Sequence, residues 1–235
     1  MFEILMALPL FRGVSRERIA KTVGHVKFHF LKYPDGEKII SAGDPCTHLK
    51  FIISGKVRAT IENHNGRFAV SQTLIAPDVV APDFLFGKFT SYPCTVVADG
   101  TTGILQITKA DYMKILNTDQ VFMFNYLNLL SMNAQKSIHG VLGLTTGSME
   151  ERIAFWVIAL TQVSGTDIVL RARQRDLYSF FGVQRSAFMA VLDQMKERGL
   201  LDYDSTEVRI TERKKMLSLL LEHPVAADYT FKEEE

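Results

Sequence analysis

Hydrophobic and polar positions change their spacing three times along the chain. From Ile4 to Val23 the apolar residues Leu5, Leu8, Phe11, Ile19 and Val23 fall at helical spacing, and Ser15 stands where it can cap a helix starting at Arg16 and Glu17. A short helical lid is predicted. From His25 the period shortens to two, with Val26, Phe28 and Phe30 on one face and His25, Lys27 and His29 on the other. Short apolar runs then cover 38–41, 49–53, 57–61, 68–75, 95–98 and 103–107. Pro34-Asp-Gly, Ala42-Gly-Asp-Pro, Ser54-Gly, Asn65-Gly, Ala76-Pro-Asp and Asp99-Gly separate them. Evenly punctuated short strands predict a barrel, sandwich or roll. Asn65-Gly66 is the clearest hairpin turn, of type I′ with positive φ at both central residues.

Helical spacing returns after residue 110. Asp111 to Leu116 reads as a short helix, and Val121 to Leu144 as a long one without proline. On the long helix Leu127, Ala134 and Val141 share one heptad position, and Met123, Leu130, Ser137 and Leu144 the other. That pattern fits a two-helix dimer seam and also fits a helix buried within one chain. Gly140, Gly143 and Gly147 are expected to loosen its end, each costing about 1 kcal/mol against Ala in a helix. Ser148-Met-Glu-Glu is a capping box, so a new helix starts there and runs through Ile153 to Val163. Gly147 is the expected hinge.

Two further helical faces follow. Leu177, Phe180 and Phe181 form one and Gly182 ends it; Phe188, Val191, Leu192 and Met195 form the next and Gly199 ends it before Leu200 and Leu201. Asp202 to Thr211 then reads as a short hairpin. Helix, turn, helix and hairpin in this order predict a winged helix-turn-helix; a plain pair of packed helices is the alternative. Tyr178 favours the alternative, since a ring there keeps two helices from close approach. In the winged reading Gln184, Arg185, Ser186 and Met189 lie at the start of the second helix, where base edges are met. Arg185 is the expected reader, because its guanidinium matches guanine O6 and N7. Arg173, Gln174 and Arg175 open the first helix, where an anion is favoured and a phosphate would be gripped.

Charge sharpens this only locally. The net charge of +1 averages over the chain, whereas residues 171–215 carry ten Lys or Arg against seven Asp or Glu, a surplus of three positive charges. The length of 235 residues and the 47% apolar content allow two domains with real cores. Cys46 and Cys94, far apart, fit a reducing cytoplasm better than a disulfide framework. No apolar run approaches a membrane span and no signal segment is recognised, so a cytoplasmic protein with no membrane partner is expected. No nucleophile and base set, phosphate loop or carboxylate pair stands out, so the chain is not read as an enzyme.

The order of helical lid, short strands, long helix, glycine hinge and winged helix-turn-helix resembles the Crp/Fnr regulators over nearly the whole chain. The residues that carry the resemblance are Pro9-Leu10-Phe11, Gly36-Glu37, Ala42-Gly43-Asp44-Pro45, Phe51 to Arg58, Gly66-Arg67 and Arg152-Ile153-Ala154. It implies a homodimer joined along the long helix, with two recognition helices about 34 Å apart in successive major grooves of a near-palindromic site. Double-stranded DNA is the implied partner, with RNA polymerase beside it. The recognition helix keeps the family's leading arginine at Arg185, while Ser186 replaces its usual Glu and Ala190 a second Arg. Base preference should differ accordingly.

The same resemblance implies a cassette in which a Gly-Glu pair takes the ribose of a cyclic nucleotide and an Arg followed by Ser or Thr takes its phosphate. Here Ala81 and Pro82 replace the first pair, and Pro93 and Cys94 the second. A phosphate would meet no guanidinium and, at Pro93, no N–H. Binding of cAMP in the family manner is not expected, and no cofactor is expected either. Lys88 could supply a rescuing charge or sit in solvent. The degenerate pocket comprises Ala81, Pro82, Asp83, Phe84, Pro93 and Cys94, with Ser137 and Ile138 where the family meets the adenine. Phe84, Leu85, Phe86, Phe89 and Tyr92 either fill it or shape it for an apolar effector.

Other effectors lack ligands. An iron–sulfur cluster wants four thiolates and the chain has two cysteines. No histidine or cysteine sits in a convincing axial context for haem. His25 and His29 are two strand steps of the same face apart, about 13 Å, too far to share an ion with each other. Cys94 is either a redox sensor or a small core residue.

The expected class is α+β: an N-terminal double-stranded β-helix of jelly-roll type as sensor over 1–116, a dimerisation helix and hinge over 117–147, and a winged helix-turn-helix DNA-binding domain over 148–235. The expected function is transcription regulation through DNA, with an effector, or none, biasing rotation at Gly147. The alternative is a small-ligand or redox sensor that signals to a protein partner.

Overall fold

The computed structural model describes residues 2–145 and 147–220, so Thr146 and the last part of the predicted 148–235 domain lie outside the described residues. The chain forms two compact units. The first takes residues up to Ile61 together with Thr73–Asn133, and the second takes Glu62–Gln72 with the residues from Ala134 onward.

The first unit opens with α1 (Phe2–Ala7), a 3-10 turn at Pro9–Phe11 and α2 (Arg16–Val23). Ser15 caps α2 through the N–H of Arg18, as its position predicts. These segments are more than a lid. Leu5, Leu8, Leu10, Phe11 and Ile19 are fully buried, and the Phe11 ring meets those of Phe51 and Phe122 edge to face at 5.9 and 5.2 Å.

The strands are β1 (His29–Tyr33), β2 (Lys38–Ile40), β3 (His48–Glu62), β4 (Phe68–Ile75), β5 (Asp78–Val80) and β6 (Thr95–Thr108). β1 pairs antiparallel with β6, β6 with β3, and β5 with β3, while β2 pairs with β6. Antiparallel strands with helices set beside them give the expected α+β class. Two predicted boundaries dissolve. Ser54-Gly55 and Asp99-Gly100 are no chain reversals but lie inside β3 and β6, where the register shifts between Ile52, Ser54 and Lys56. Gly55 holds a φ of +77°, and a Cβ there would press on the carbonyl of Thr101.

The phase of β1 also differs from the sequence reading. Val26 and Phe28 precede the strand, Leu31 and Tyr33 face the core, and Phe30 is exposed. The turn at Asn65-Gly66 is not type I′ either. Only Gly66 has positive φ, Gly66 N–H bonds the Asn63 carbonyl at 3.0 Å, and the Asn65 side chain accepts from Arg67 N–H at 3.1 Å.

α3 (Lys109–Thr118) and α4 (Gln120–Gly143) follow. In the second unit α5 (Met149–Leu160) begins on the predicted capping box: the Ser148 hydroxyl accepts from Glu151 N–H, and the Glu151 carboxylate from Ser148 N–H at 2.6 Å. β7 (Thr166–Ala172), α6 (Gln174–Phe180), α7 (Arg185–Glu197), β8 (Asp202–Tyr203), β9 (Glu207–Ile210) and α8 (Arg213–Ser218) complete it. β7 pairs with β9 and β9 with β8, all antiparallel. The core of this unit is Ile153 to Ile158 of α5 packed with Leu177, Phe181, Phe188, Leu192 and Met195.

Gly140 and Gly143 do not loosen α4. Both are buried in it, and a Cβ at Gly140 would overlap Ala159 while one at Gly143 would overlap the Phe155 ring. They let two helices approach closely.

Candidate nucleic-acid interface and effector region

The two helices of the helix-turn-helix end alike. Gly182 (φ +68°) follows α6, with Gly182 N–H bonding the Ser179 carbonyl and Val183 N–H that of Tyr178; Gly199 (φ +67°) follows α7, with Gly199 N–H bonding Lys196 and Leu200 N–H bonding Met195. Both are Schellman closures, the reason glycine stands at each site. Leu177, Phe181, Phe188, Leu192 and Met195 turn inward, whereas Phe180 is half in solvent with its ring 5.0 Å from Trp156. Tyr178 is half-buried against the same core.

Gln184, Arg185 and Ser186 form the exposed start of α7, with Gln184 as N-cap making no capping bond of its own. Met189, one turn on, is half-buried against the core. Arg173 and Arg175 are exposed at the start of α6. Gln174 is occupied differently, its amide donating to the Asp204 carbonyl at 3.1 Å and so tying α6 to the hairpin β8–β9. That hairpin is itself closed by the Asp204 carboxylate, which accepts from Thr206 and Glu207 N–H; those bonds hold it below the usual carboxylate range.

Several cations of this unit are paired with carboxylates and others are not. Lys196 is paired with Asp202 at 2.7 Å, Arg198 with Glu150, Arg209 with Asp167 and Lys215 with Glu212. Arg171, Arg173, Arg175 and Arg185 make no ion pair among the described residues. Three of these four stand at the starts of α6 and α7 and the fourth, Arg171, just ahead of them; Arg67 likewise makes no ion pair among the described residues.

Sequence reasoning missed three polar anchors. Arg152, quoted only as part of a motif, donates to the carbonyls of Leu144 and Phe181 at 2.8 and 2.9 Å. Arg213 is buried; its guanidinium bonds Thr161 Oγ1 at 3.1 Å and the Ile158 carbonyl at 3.3 Å, while Lys136 Nζ bonds the Thr161 carbonyl at 2.7 Å. Two cations thereby satisfy the carbonyl end of α5. Nothing in the run Glu212-Arg213-Lys214-Lys215 distinguishes a buried arginine from a solvated one.

The residues of the effector region divide between the core of the first unit and its surface. Ala81 sits in the left-handed region (φ +44°) ahead of the 3-10 turn Pro82–Phe84, and the buried Pro82 gives its carbonyl to Tyr126 Oη at 2.9 Å. Asp83 accepts from the Asn133 amide at 2.9 Å. Leu85 and Tyr92 are core residues, and Phe84 and Phe86 pack against them; Phe89, grouped with them in the sequence reading, is 78% exposed beside Lys88. Pro93 is half-buried, and burial pushes the Cys94 thiol up to about 11. Ser137 and Ile138 are exposed residues of the second unit.

On α4, Met123 and Leu130 pack into the core of the first unit and Leu144 into that of the second. Leu127, Ala134 and Val141 are exposed, and so are Phe124, Ser131 and Ile138, at helical spacing with them. Among the described residues no group of three or more His, Cys, Asp or Glu could hold a metal ion, and no helix is long and apolar enough to cross a membrane.

Residues 30–119 match the family described as the cyclic nucleotide-binding domain. The cyclic AMP receptor protein of Thermus thermophilus is 23% identical over 209 residues, 87% of this chain and 93% of that protein. The crystal structure of the Thermus thermophilus catabolite activator protein is similar with a TM-score of 0.44 and 19% identity over 94% of this chain and 99% of that one. FixK2 from Bradyrhizobium japonicum has a TM-score of 0.46 and 16% identity over 83% of this chain and 98% of that one.

Proposed function

We propose, for a chain whose residues 30–119 are a cyclic nucleotide-binding domain and whose relatives are Crp/Fnr-type regulators, that it regulates transcription as a DNA-binding homodimer. The domains are assigned as expected from sequence, 1–116 sensor, 117–147 dimerisation helix and hinge, 148–235 DNA-binding. The observation that carries the reading is the state of the cations in the second unit: Arg173, Arg175 and Arg185 are exposed and make no ion pair among the described residues, while Lys196 and Arg198 are spent on carboxylates. Unpaired arginines at two helix starts suit a polyanion, one pair for phosphates and Arg185 for a base edge.

Two copies join through the exposed row of α4, Phe124, Leu127, Ser131, Ala134, Ile138 and Val141, since the other heptad row is engaged within the chain. The effector is not cAMP bound in the family manner. Pro82 and Pro93 offer no N–H, and Leu85, Tyr92, Phe84 and Phe86 belong to the apolar core beside them. RNA polymerase is a further partner of the dimer on DNA.

Capture of genomic fragments by the purified protein, sequenced with and without cAMP, tests this. A shared two-fold motif without cAMP is the expected result. Enrichment only with cAMP would overturn the reading of Pro82 and Pro93, and salt-independent capture would favour a protein partner over DNA.

A further inference from the structure

Half-buried Lys50 and His48 of the first unit share one face of the sheet with the exposed His29. Gln106 of β6 stands opposite His29 of β1 and, on its other side, opposite Lys50 of β3. Directly opposed residues project to the same face, so His29, Gln106 and Lys50 form a row about 10 Å across. His48, two residues before Lys50, projects to that face as well, opposite Thr108. Lys109 follows Thr108, its N–H bonded to the Thr47 carbonyl at 2.9 Å.

This set contains donors and cations but no anion. Lys50 Nζ bonds Gln106 Oε1 at 2.5 Å, which commits the amide oxygen and leaves the Gln106 NH2 as a donor. His48 Nδ1 lies 2.8 Å from Thr47 Oγ1, and Lys109 Nζ lies 4.8 Å from the centre of the Phe86 ring. None of His29, His48, Lys50 and Lys109 has a carboxylate partner among the described residues; Asp111, at the start of α3, is taken by Lys114 at 2.7 Å. Lys50 and His48 are withdrawn from solvent all the same. Burial lowers both their pKa values, and for His48 the neighbouring Lys50 and His29 lower it further.

The half-buried ammonium groups of Lys50 and Lys109, beside imidazole and amide donors, are complementary to an anion that brings several acceptor oxygens. We propose that His29, His48, Lys50 and Gln106, flanked by Lys109, form a binding site for a phosphate-bearing small molecule. The site is separate from the 81–94 stretch, where Pro82 and Pro93 lack an N–H. It gives the first unit an anionic effector chemistry that the degenerate cassette does not offer, and it stands whether or not the second unit binds DNA.

The test is titration of the full chain with pyrophosphate by calorimetry, with thermal denaturation in parallel. One saturable site and a raised melting midpoint are expected, with affinity falling at least about tenfold in Lys50→Met and unchanged in Lys88→Met. Gln106→Glu does not depend on how Lys50→Met folds: its carboxylate takes the anion's place, so it should raise the midpoint without ligand and abolish the pyrophosphate response. The proposal is overturned by absence of saturation, by a response that survives Gln106→Glu, or by loss of binding in Arg175→Ala instead, which would put the anion on the second unit. Saturation by a glutamate-rich peptide but not by pyrophosphate would also overturn it, in favour of a protein-docking face.

Discussion

Arg152 bonds the carbonyl of Phe181 at 2.9 Å and lies 5.6 Å from the centre of that residue's ring, so one side chain of α5 closes the end of the first helix-turn-helix helix. Its Nε meanwhile holds the Leu144 carbonyl, just beyond α4. Removing a charged donor to two carbonyls costs about 2–3 kcal/mol. Arg152→Ala should lower the unfolding free energy by that much, read from urea denaturation, and Arg152→Lys should recover less than half, because an ammonium cannot span two acceptors as a planar fork does. Full rescue by Lys would show that charge, not geometry, holds the turn.

Gly143 faces the Phe155 ring and Gly140 faces Ala159 with no room for a Cβ. In a free helix Gly→Ala would gain about 1 kcal/mol. Here overpacking, about 1–3 kcal/mol or more, opposes that gain. Gly143→Ala and Gly140→Ala should therefore destabilise the chain, measured as a lower thermal midpoint, whereas a loosened helix end would be stabilised by the same changes.

These glycines mark what the sequence could and could not convey. Ser15, the Ser148 and Glu151 box, Gly182 and Gly199 were legible because each acts within a few residues of itself. Gly140 and Gly143 answer to residues on another helix, which no local pattern records. Gly55 and Gly100 were read as turns because a positive φ serves a bulge as well as a reversal. β7 carried no strand signal beyond Ile168 to Leu170, and its partner β9 lies some forty residues on. Of the site, Arg173, Arg175 and Arg185 were legible as exposed cations; the wing contact of Gln174 and the burial of Arg213 depend on tertiary partners.

The two rows of α4 should respond oppositely to a charge. Ile138 and Val141 are 59% and 64% exposed, so Ile138→Glu or Val141→Glu should leave the fold intact and halve the mass seen in analytical ultracentrifugation. Leu130→Glu should unfold the first unit instead, because Leu130 packs into its core. A monomeric parent protein would remove the dimer seam altogether.

Cys94 bears on redox sensing through its titration. Burial lifts its thiol from 9.0 to about 11, and that of Cys46 rises for the same reason. A raised thiol pKa leaves the neutral form dominant: at pH 8 the thiolate fraction is about one in a thousand, against about a tenth for a thiol of pKa 9. Native protein should consume almost no iodoacetamide at pH 8, and denatured protein should consume it at both cysteines. Rapid native alkylation of Cys94 would revive the sensor reading.

Under the proposed function, the sorting of cations predicts which of them a duplex contacts. Arg198 and Lys196 already hold Glu150 and Asp202, so Arg198→Ala should leave DNA affinity and its salt dependence unchanged. Arg175 makes no ion pair among the described residues, and a phosphate contact there would release about 0.9 counterion per neutralised charge. Arg175→Ala should weaken binding on every sequence alike and reduce the slope of log affinity against log salt by about one. Arg185, at the start of α7, should behave differently. Arg185→Ala should cost about 1–3 kcal/mol on the preferred site, far less on random duplex, and relax preference at a single base pair. Equal loss on all sequences would make Arg185 one more phosphate contact, and the reading of bases would then fall to Gln184 and Ser186, exposed on either side of it.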